Sequence, residues 1–552
     1  MKQKIVDLIF KISKLSKVEI ENLIEIPPSQ EFGDYAFPCF ILSKKLRKPP
    51  IEIALEMSRD LNKKLPKWLD KIEKKGPYIN FYLDKNIVIE EVLSKALEDN
   101  YGSAKQKDKI LIEHTSVNPN ASPHVGRTRN SIIGDSIVRI FKFLGNKVEI
   151  HYYVNDVSKQ IAILSLIYKK GDKFDDMLNN YVKISKQIAD KPEMEKRVFE
   201  LLEKFEAGDK TTTKLFNEIV KICIDGQKKI FEKFGIRFDE FDYESRYVGK
   251  SSEEILDKLD KTGKLSKDKD GRMILSLAHT KLIKKMRSPV MVLTRSNGTG
   301  LYPLRDIAYT IDKGKFGKNL IILGEDQKLY FEQVAEAVKL LGHKAPEVVH
   351  YSFVLIQDEE GKTKKMATRK GELVLLEDFY EQALKKAKKE ITKRKTKGDA
   401  KKVAIGAIKY SMLKNDNNKN IIFSWDQSLN FEGDSGPYLQ YSYARASSIV
   451  RKSNSSTKKK SIKSKSISNY DFKLAKKIQE FPDKVLEAKE KLNPSLIANY
   501  SFQLAQIFNE FYQNSKVIGS EDEEMKIKLV KAFRNTLKNS LHLLGIEVIE
   551  EM

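Results

Sequence analysis

Cysteine is nearly absent from this chain: 552 residues hold only Cys39 and Cys223, far apart in sequence. That excludes a disulfide framework and a cysteine-based zinc site. No run approaches the ~18 consecutive apolar residues that a membrane-spanning helix needs. The first residues alternate lysine with apolar side chains, as one amphipathic helix from Met1 to Lys17, and lack the continuous apolar core of a secretory leader. A soluble, cytoplasmic protein is expected. Acidic residues are also in deficit, 77 against 101 lysines and arginines, for a formal net charge of +24. Such an excess suits a polyanionic partner bound through its phosphates. A chain of this length exceeds the ~250–300 residues at which single cores stop growing, so several domains are expected.

Residues 1–100 read as an α+β module, with turn signals at Pro27-Pro28 and Gly33-Asp34, a helix from Pro50 to Leu61 and a strand from Tyr78 to Leu83. From Lys109 the pattern becomes strand, helix, strand (Ile110 to Glu113, Ser131 to Leu144, Val148 to Val154), a βαβ unit of parallel-sheet type within residues 101–376. Residues 165–232 read as a charged helical insertion, after which the sheet pattern resumes at Val290 to Leu293, Asn319 to Leu323 and Phe353 to Ile356. From Glu377 to residue 552 the pattern is all helix, interrupted by a Lys/Ser-rich segment, 451–468, that reads as a mobile linker.

The richest stretch for chemistry is His114-Thr-Ser-Val-Asn-Pro-Asn-Ala-Ser-Pro-His-Val-Gly-Arg127, between the Ile110 strand and the helix that follows. A strand, a polar loop and a helix N-terminus form an anion site, because the first N–H groups of the helix are unpaired and its dipole is positive there. His124 and Gly126 put a donor and an unobstructed backbone at that corner. More than two hundred residues later comes Lys365-Met-Ala-Thr-Arg-Lys-Gly371, a cluster of cations flanked by Asp358-Glu-Glu-Gly361, which suits a hairpin-like loop closing over a nucleotide. Glu113 continues an apolar strand beside the first corner, where a carboxylate is costly unless a cation answers it. Tyr302 and Asp306 stand four apart, on one helix face, with Pro303 suited to the first turn. Carboxylates with a phenol make a receptor for a guanidinium, whose planar fork favours bidentate acceptors. The plain alternative for Asp306 is an ion pair with Arg305 or Lys313, and for Gln327 an ordinary loop amide.

The two segments resemble the paired HIGH and KMSKS signatures of class I aminoacyl-tRNA synthetases, and the chain resembles the arginyl-tRNA synthetases along nearly its whole length. The likeness is carried by PPSQEFGDYAFP (Pro27 to Pro38), GPYINFYL (Gly76 to Leu83), LYPLRDIAY (Leu301 to Tyr309), SGPYLQYSYAR (Ser435 to Arg445) and LLGIEVIEEM (Leu543 to Met552). It implies a multidomain α/β protein: a Rossmann-type parallel-sheet catalytic domain, an N-terminal α+β domain that grips the tRNA elbow, and a C-terminal all-α helical bundle that binds the anticodon. It implies arginine-binding roles for Glu113, Asn118, Tyr302, Asp306 and Gln327, and ATP-binding roles for Pro119, His124, Gly126, Arg127, Lys365 and Met366. Lys365, Arg369 and Lys370, with His124, Gly126 and Arg127, are then the catalytic set, stabilising charge on the departing pyrophosphate. Two positions depart from the pattern: Arg127 stands where a second histidine is usual, and Thr368 where a lysine is usual.

For tRNA contact the resemblance points to Asn80 in the N-terminal module and to the chain end at Met552; Tyr438, Tyr441, Tyr443 and Arg445 offer aromatic and cationic faces for unstacked bases. Phe508, Phe511 and Tyr512 read as core. The implied substrates are L-arginine, ATP with Mg²⁺ and tRNA-Arg, with no zinc, no membrane and a monomeric state. A synthetase of the same class for another amino acid, and a tRNA-binding paralogue without catalysis, remain as alternatives at this level.

Overall fold

The computed structural model describes residues 1–120, 122–189, 191–357, 363–365, 374–395, 397–453 and 467–552. They group into two compact units. One contains Met1–Asp99, Ile449–Glu480 and Gln506–Asn535. Its sheet has strands β1 (Tyr35–Pro38), β2 (Leu69–Lys75) and β3 (Tyr78–Leu83), antiparallel in the order β1-β3-β2. The single helix expected over Met1 to Lys17 is two: Lys2–Phe10, and Lys17–Leu23. Ser16 is the reason for the restart. Its hydroxyl accepts from Glu19 N at 3.3 Å while its own N–H donates to Glu19 Oε2 at 2.7 Å, a reciprocal cap that starts a new helix. Phe508 and Phe511 are core residues, the former stacked on Phe533 at 3.8 Å, whereas Tyr512 is 44% exposed.

The larger unit contains Asn100–Ser448, Phe481–Ala505 and Thr536–Met552. Five strands, β4 (Lys109–Glu113), β5 (Lys147–Val154), β6 (Glu240–Tyr243), β10 (Lys318–Gly324) and β11 (Glu347–Tyr351), form an all-parallel sheet in the order β11-β10-β4-β5-β6. Strands covered on both faces read as continuous apolar runs, as Ile110 to Ile112 and Leu320 to Ile322 do. The strand order reverses between β4 and β10, and α/β sheets place their ligands at the carboxyl ends of strands at such a switch point.

The Val125–Phe143 helix joins β4 to β5 and starts six residues earlier than its apolar periodicity suggests. It stops at Gly145, whose φ of +89° and close approach to the Ala104 and Gln106 carbonyls leave no room for a Cβ. Polar side chains pin it. Arg129, fully buried, donates to the carbonyls of Ser352 (2.6 Å), Lys419 (2.7 Å) and Asp416 (3.0 Å). Asp135 accepts from Arg139 at 2.9 Å and from the buried Lys409 at 3.1 Å. The insertion is helical as expected, with Phe174–Ala189, Pro192–Glu206 and Lys210–Lys233.

Two expectations for the sheet need correction. Val290–Val292 (β9) is not in the parallel sheet; it joins β7 (Leu265–Lys267) and β8 (Met273–Ser276) in a separate antiparallel one. The region after Glu377 is not all helix: Ile421–Phe423 (β14) pairs in parallel with β12 (Val354–Gln357), which also pairs with β13 (Thr363–Lys365). Three-residue strands carry too little pattern to be read locally; their partners lie tens of residues away. Much of the Lys/Ser-rich segment 451–468, namely 454–466, lies outside the described residues.

Gly134 lies where the Val125 helix touches the strand end, and a Cβ there would come within 2.3 Å of His114 Cγ, inside a buried ring. Gly134→Ala should lower unfolding free energy by about 1–3 kcal/mol through overpacking, read by urea denaturation.

Candidate functional site

A cavity of about 160 Å³ opens at the carboxyl ends of β4 and β10. Glu113 enters it from the end of β4, Tyr153 from β5, and Ile321 and Leu323 from β10. The Tyr302–Gly314 helix, begun by Pro303, contributes Asp306, Tyr309, Thr310 and Lys313. Those positions are i, i+3, i+4 and i+7, one helix face. Ser116, Gln327, Tyr330 and Phe331 complete the wall. Three residues proposed from sequence for one ligand, Glu113, Asp306 and Gln327, therefore line one cavity.

Its charges are unequal. Glu113 is ion-paired with Lys313, their side chains 5% and 3% exposed. The Lys313 ammonium also sits 4.1 Å from the centre of the Tyr309 ring. Asp306 has neither of the cationic partners its sequence neighbours offered. Lys313 is on Glu113, and Arg305 turns away to Glu244 (2.7 Å) and Glu206 (3.3 Å). Instead Asp306 accepts from two phenols, Tyr330 and Tyr153, the latter at 3.3 Å. Burial raises its pKa to about 6; the Tyr330 hydrogen bond opposes that rise and the Glu113 charge adds to it. Behind the cavity, Tyr153 and Tyr309 stack at 4.5 Å, and the Tyr309 hydroxyl donates to Asp242 at 2.9 Å. Asp242 in turn meets His151 Nδ1 at 2.6 Å.

Lys313, Tyr153, Tyr330 and Ser116 were not anticipated as lining residues. Lys313 was open to discovery, seven residues beyond Asp306 on the same face. Tyr153 depends on register: His151 pairs with Glu113, so Tyr153 points to the Glu113 side two residues further on. Tyr302 is 53% exposed and does not line the cavity; its ring lies 5.2 Å from that of Tyr330. Asn118 is exposed, and its carbonyl accepts from Gln227 Nε2 at 3.0 Å. Thr115 and Ser116, with φ of 77° and 43°, turn the chain away from β4.

At the start of the Val125 helix His124 caps it with extended backbone and no side-chain bond to it. Its Nδ1 is buried and has no partner among the described residues, and burial, helped by the Arg127 charge, lowers its pKa to about 4. Arg127 is half exposed, 4.0 Å from Asp326. Gly126 is part-buried and Pro119 buried beside Asn118. The flanks of the two signatures meet: Val125 N donates to Val374 O at 3.0 Å, and Leu376 N to Pro123 O at 2.8 Å. Lys365 lies in β13, its backbone opposite Leu355. Met366, Thr368, Arg369 and Lys370 lie outside the described residues.

Asn80, in β3, is 2% exposed, and its side-chain oxygen has no hydrogen-bond partner. Tyr443 is buried and donates to Glu550 at 2.9 Å. Tyr438 and Tyr441 are part-buried; the Arg445 guanidinium stacks 4.8 Å over Tyr441 and donates to its hydroxyl at 3.2 Å. Met552 is part-buried.

Comparison with known families gives this geometry its context. Residues 88–425 match the class I (R) tRNA synthetase catalytic domain, residues 439–552 the DALR anticodon binding domain, and residues 1–83 the arginyl tRNA synthetase N-terminal domain. The catalytic unit is thus that of a class I aminoacyl-tRNA synthetase. Among relatives, the arginine–tRNA ligases of Methanocaldococcus jannaschii and Clostridium botulinum (strain Hall) are 36% and 35% identical, each over 97% of this chain and 96% of the relative. The arginyl-tRNA synthetase structure of Thermus thermophilus superposes with a TM-score of 0.79 at 27% identity, over 96% of each chain. That of Plasmodium falciparum has the same fold, with a TM-score of 0.77 at 22% identity, over 100% of this chain and 98% of that one. The chain belongs to the arginyl-tRNA synthetase family, and is a ligase.

Because a hydrogen bond to the charged form lowers a carboxyl pKa, Tyr330→Phe should move the Asp306 titration above its value of about 6. Carbon-detected NMR of the side-chain carboxyl checks this; an unmoved titration would mean the phenol does not hold the ionised form.

Proposed function

We propose that the cavity seats the side chain of free L-arginine and that the Val125 helix corner seats ATP. The observation that carries this is the unanswered carboxylate of Asp306, in a cavity whose other carboxylate already has a cation. A guanidinium supplies the missing charge and a fork of donors. Gln327 and Ser116 add neutral acceptors, and Tyr302 and Asn118, both exposed and outside the cavity lining, are proposed to meet the amino-acid end. Uncharged or apolar analogues are rejected because they leave these acceptors unpaired.

The arginine carboxylate then attacks the α-phosphorus of ATP in line; the bond to the bridging oxygen breaks, and pyrophosphate leaves with that electron pair. The 2′-hydroxyl of the terminal tRNA adenosine next attacks the adenylate carbonyl, loses its proton and expels AMP. Side chains make no covalent bond in either step; they position and stabilise charge. Neutral His124 donates to phosphate oxygens, and Arg127, always charged, replaces a histidine with a fixed cation. Pro119 and Gly126 shape the loop around the nucleotide, and Lys365, Met366, Arg369 and Lys370 are proposed to act on ATP and its departing pyrophosphate. Mg²⁺ is proposed to enter with ATP. Among the described residues no helix is long and apolar enough to cross a membrane. Separately, the working enzyme is proposed to be a cytoplasmic monomer with three domains. Tyr438, Tyr441, Arg445 and Met552 are proposed to meet the anticodon arm, and Asn80 the elbow.

Arginine-dependent ATP–pyrophosphate exchange, run with and without tRNA-Arg, tests the reading. Exchange should require tRNA, and Asp306→Ala should cut it by about 100-fold or more, the loss expected when a buried charge partner is removed. No exchange, with tRNA still bound, would favour a non-catalytic tRNA binder.

Arginine needs Asp306 ionised. Its KM should therefore fall as pH rises through about 6 and level off above, while the KM for ATP keeps no such step. A flat arginine profile from pH 5 to 8 would separate Asp306 from the substrate.

A further inference from the structure

Three charged side chains line the cavity: the carboxylates Glu113 and Asp306, and the ammonium of Lys313. The charged groups packed around it are engaged elsewhere. Arg305 is shared by Glu206 and Glu244, and Asp242 by His151 and Arg246. The count inside is therefore two negative charges and one positive, with Lys313 committed to Glu113 and Asp306, among the described residues, held by two neutral phenols. The remaining charge is minus one, the complement of a single guanidinium.

We propose that Lys313 is the residue that sets this count. By cancelling Glu113, it makes the cavity a receptor for one monocation and leaves Glu113 to act as a neutral-pair oxygen acceptor rather than as a second counter-charge. The inference rests on the cavity being the arginine seat. A buried Lys–Glu pair is weak support for stability, since desolvating both ions consumes most of their attraction. The placement of this pair fits a role in selection better. It sits in the cavity wall, on the helix face that also carries Asp306, and its ammonium is steadied over the Tyr309 ring. Two consequences follow from removing one member. Without Lys313, Glu113 and Asp306 share one cavity as like charges, so one of them holds a proton. Without the Glu113 charge, the Lys313 ammonium finds Asp306 as its remaining carboxylate in the cavity and competes for the guanidinium's seat.

The test is a double-mutant cycle on the full chain with Glu113→Gln, Lys313→Met and the two combined. Gln keeps an oxygen at position 113 and removes only the charge. Arginine Kd is read by calorimetry, and KM for arginine and ATP by tRNA-supported exchange. Glu113→Gln alone should weaken arginine on the order of 100-fold, and adding Lys313→Met should recover at least about tenfold of that loss. The KM for ATP should stay within about twofold throughout, since the change is confined to binding one substrate. A double variant no better than Glu113→Gln would overturn the proposal, because the charge of Glu113 would then be needed in its own right. If a single variant fails to fold, the double variant, which buries neither charge, decides. Arginine bound within about tenfold of wild type supports the count, and weaker binding overturns it. A wild type that binds no arginine removes the reading of the cavity and this inference with it, a result distinct from a failed double variant.

Discussion

A carboxylate taken out of water is costly until another group answers its charge, and this protein brings two into one cavity. Much of the catalytic unit is arranged around that cost. Glu113 can end an apolar, doubly covered strand because Lys313 reaches it from the Tyr302–Gly314 helix. Asp306, one turn from the start of that helix, accepts from phenols of β5 and of the Lys328–Leu340 helix; burial raises its pKa, and those hydrogen bonds oppose the rise. Arg305, its neighbour in sequence, would quench it if it pointed inward. Glu206 and Glu244 draw that guanidinium the other way, and burial lifts the Glu244 pKa to about 8 even beside Arg305. The Asp306 charge is thus the part of the balance the fold leaves open, and the proposed seat for a substrate cation.

The second constraint is rigidity at the nucleotide corner. The helix that begins at Val125 is held by three carbonyls around Arg129, by the Asp135, Arg139 and Lys409 cluster, and by Gly134 against His114. Its N-terminus is further stitched to Val374 and Leu376, so residues flanking two distant signatures share backbone hydrogen bonds. A preorganised donor set needs no rearrangement as charge develops on phosphate. His124 is neutral at physiological pH, so its charge does not vary near neutrality.

Much was legible from residues alone where the signal was local or long. The strand at Tyr78–Leu83, the helix from Pro50 and the β4-to-β5 crossover follow from periodicity and punctuation. Glu113, ending an apolar strand, and Asp306, on a helix face with Tyr302, stood out as guanidinium acceptors from the residues themselves; Gln327 joined them, and the set became one site, only through the resemblance of the surrounding motifs to a known family. Short elements were not legible. The strand Ile421–Phe423 exists because β12 lies beside it, and Val290–Val292 looks identical whether it joins a parallel or an antiparallel sheet. The N-terminal helix was read too long because apolar spacing continues past Phe10, while the reciprocal Ser16–Glu19 cap restarts the chain.

Sequence by itself determined the chemistry on offer: two acids and a phenol suited to a guanidinium, a helix corner suited to phosphate, and an excess of cations suited to RNA. Only the tertiary structure decided how those charges pair. Lys313 stood equally ready for Asp306 or Glu113, since helix spacing brings it to the face of the first and says nothing of its distance from a strand two hundred residues earlier. Pairing in a low-dielectric cavity depends on separations of a few ångströms between elements distant in sequence, and those separations are set when the sheet register and the helix face are packed together.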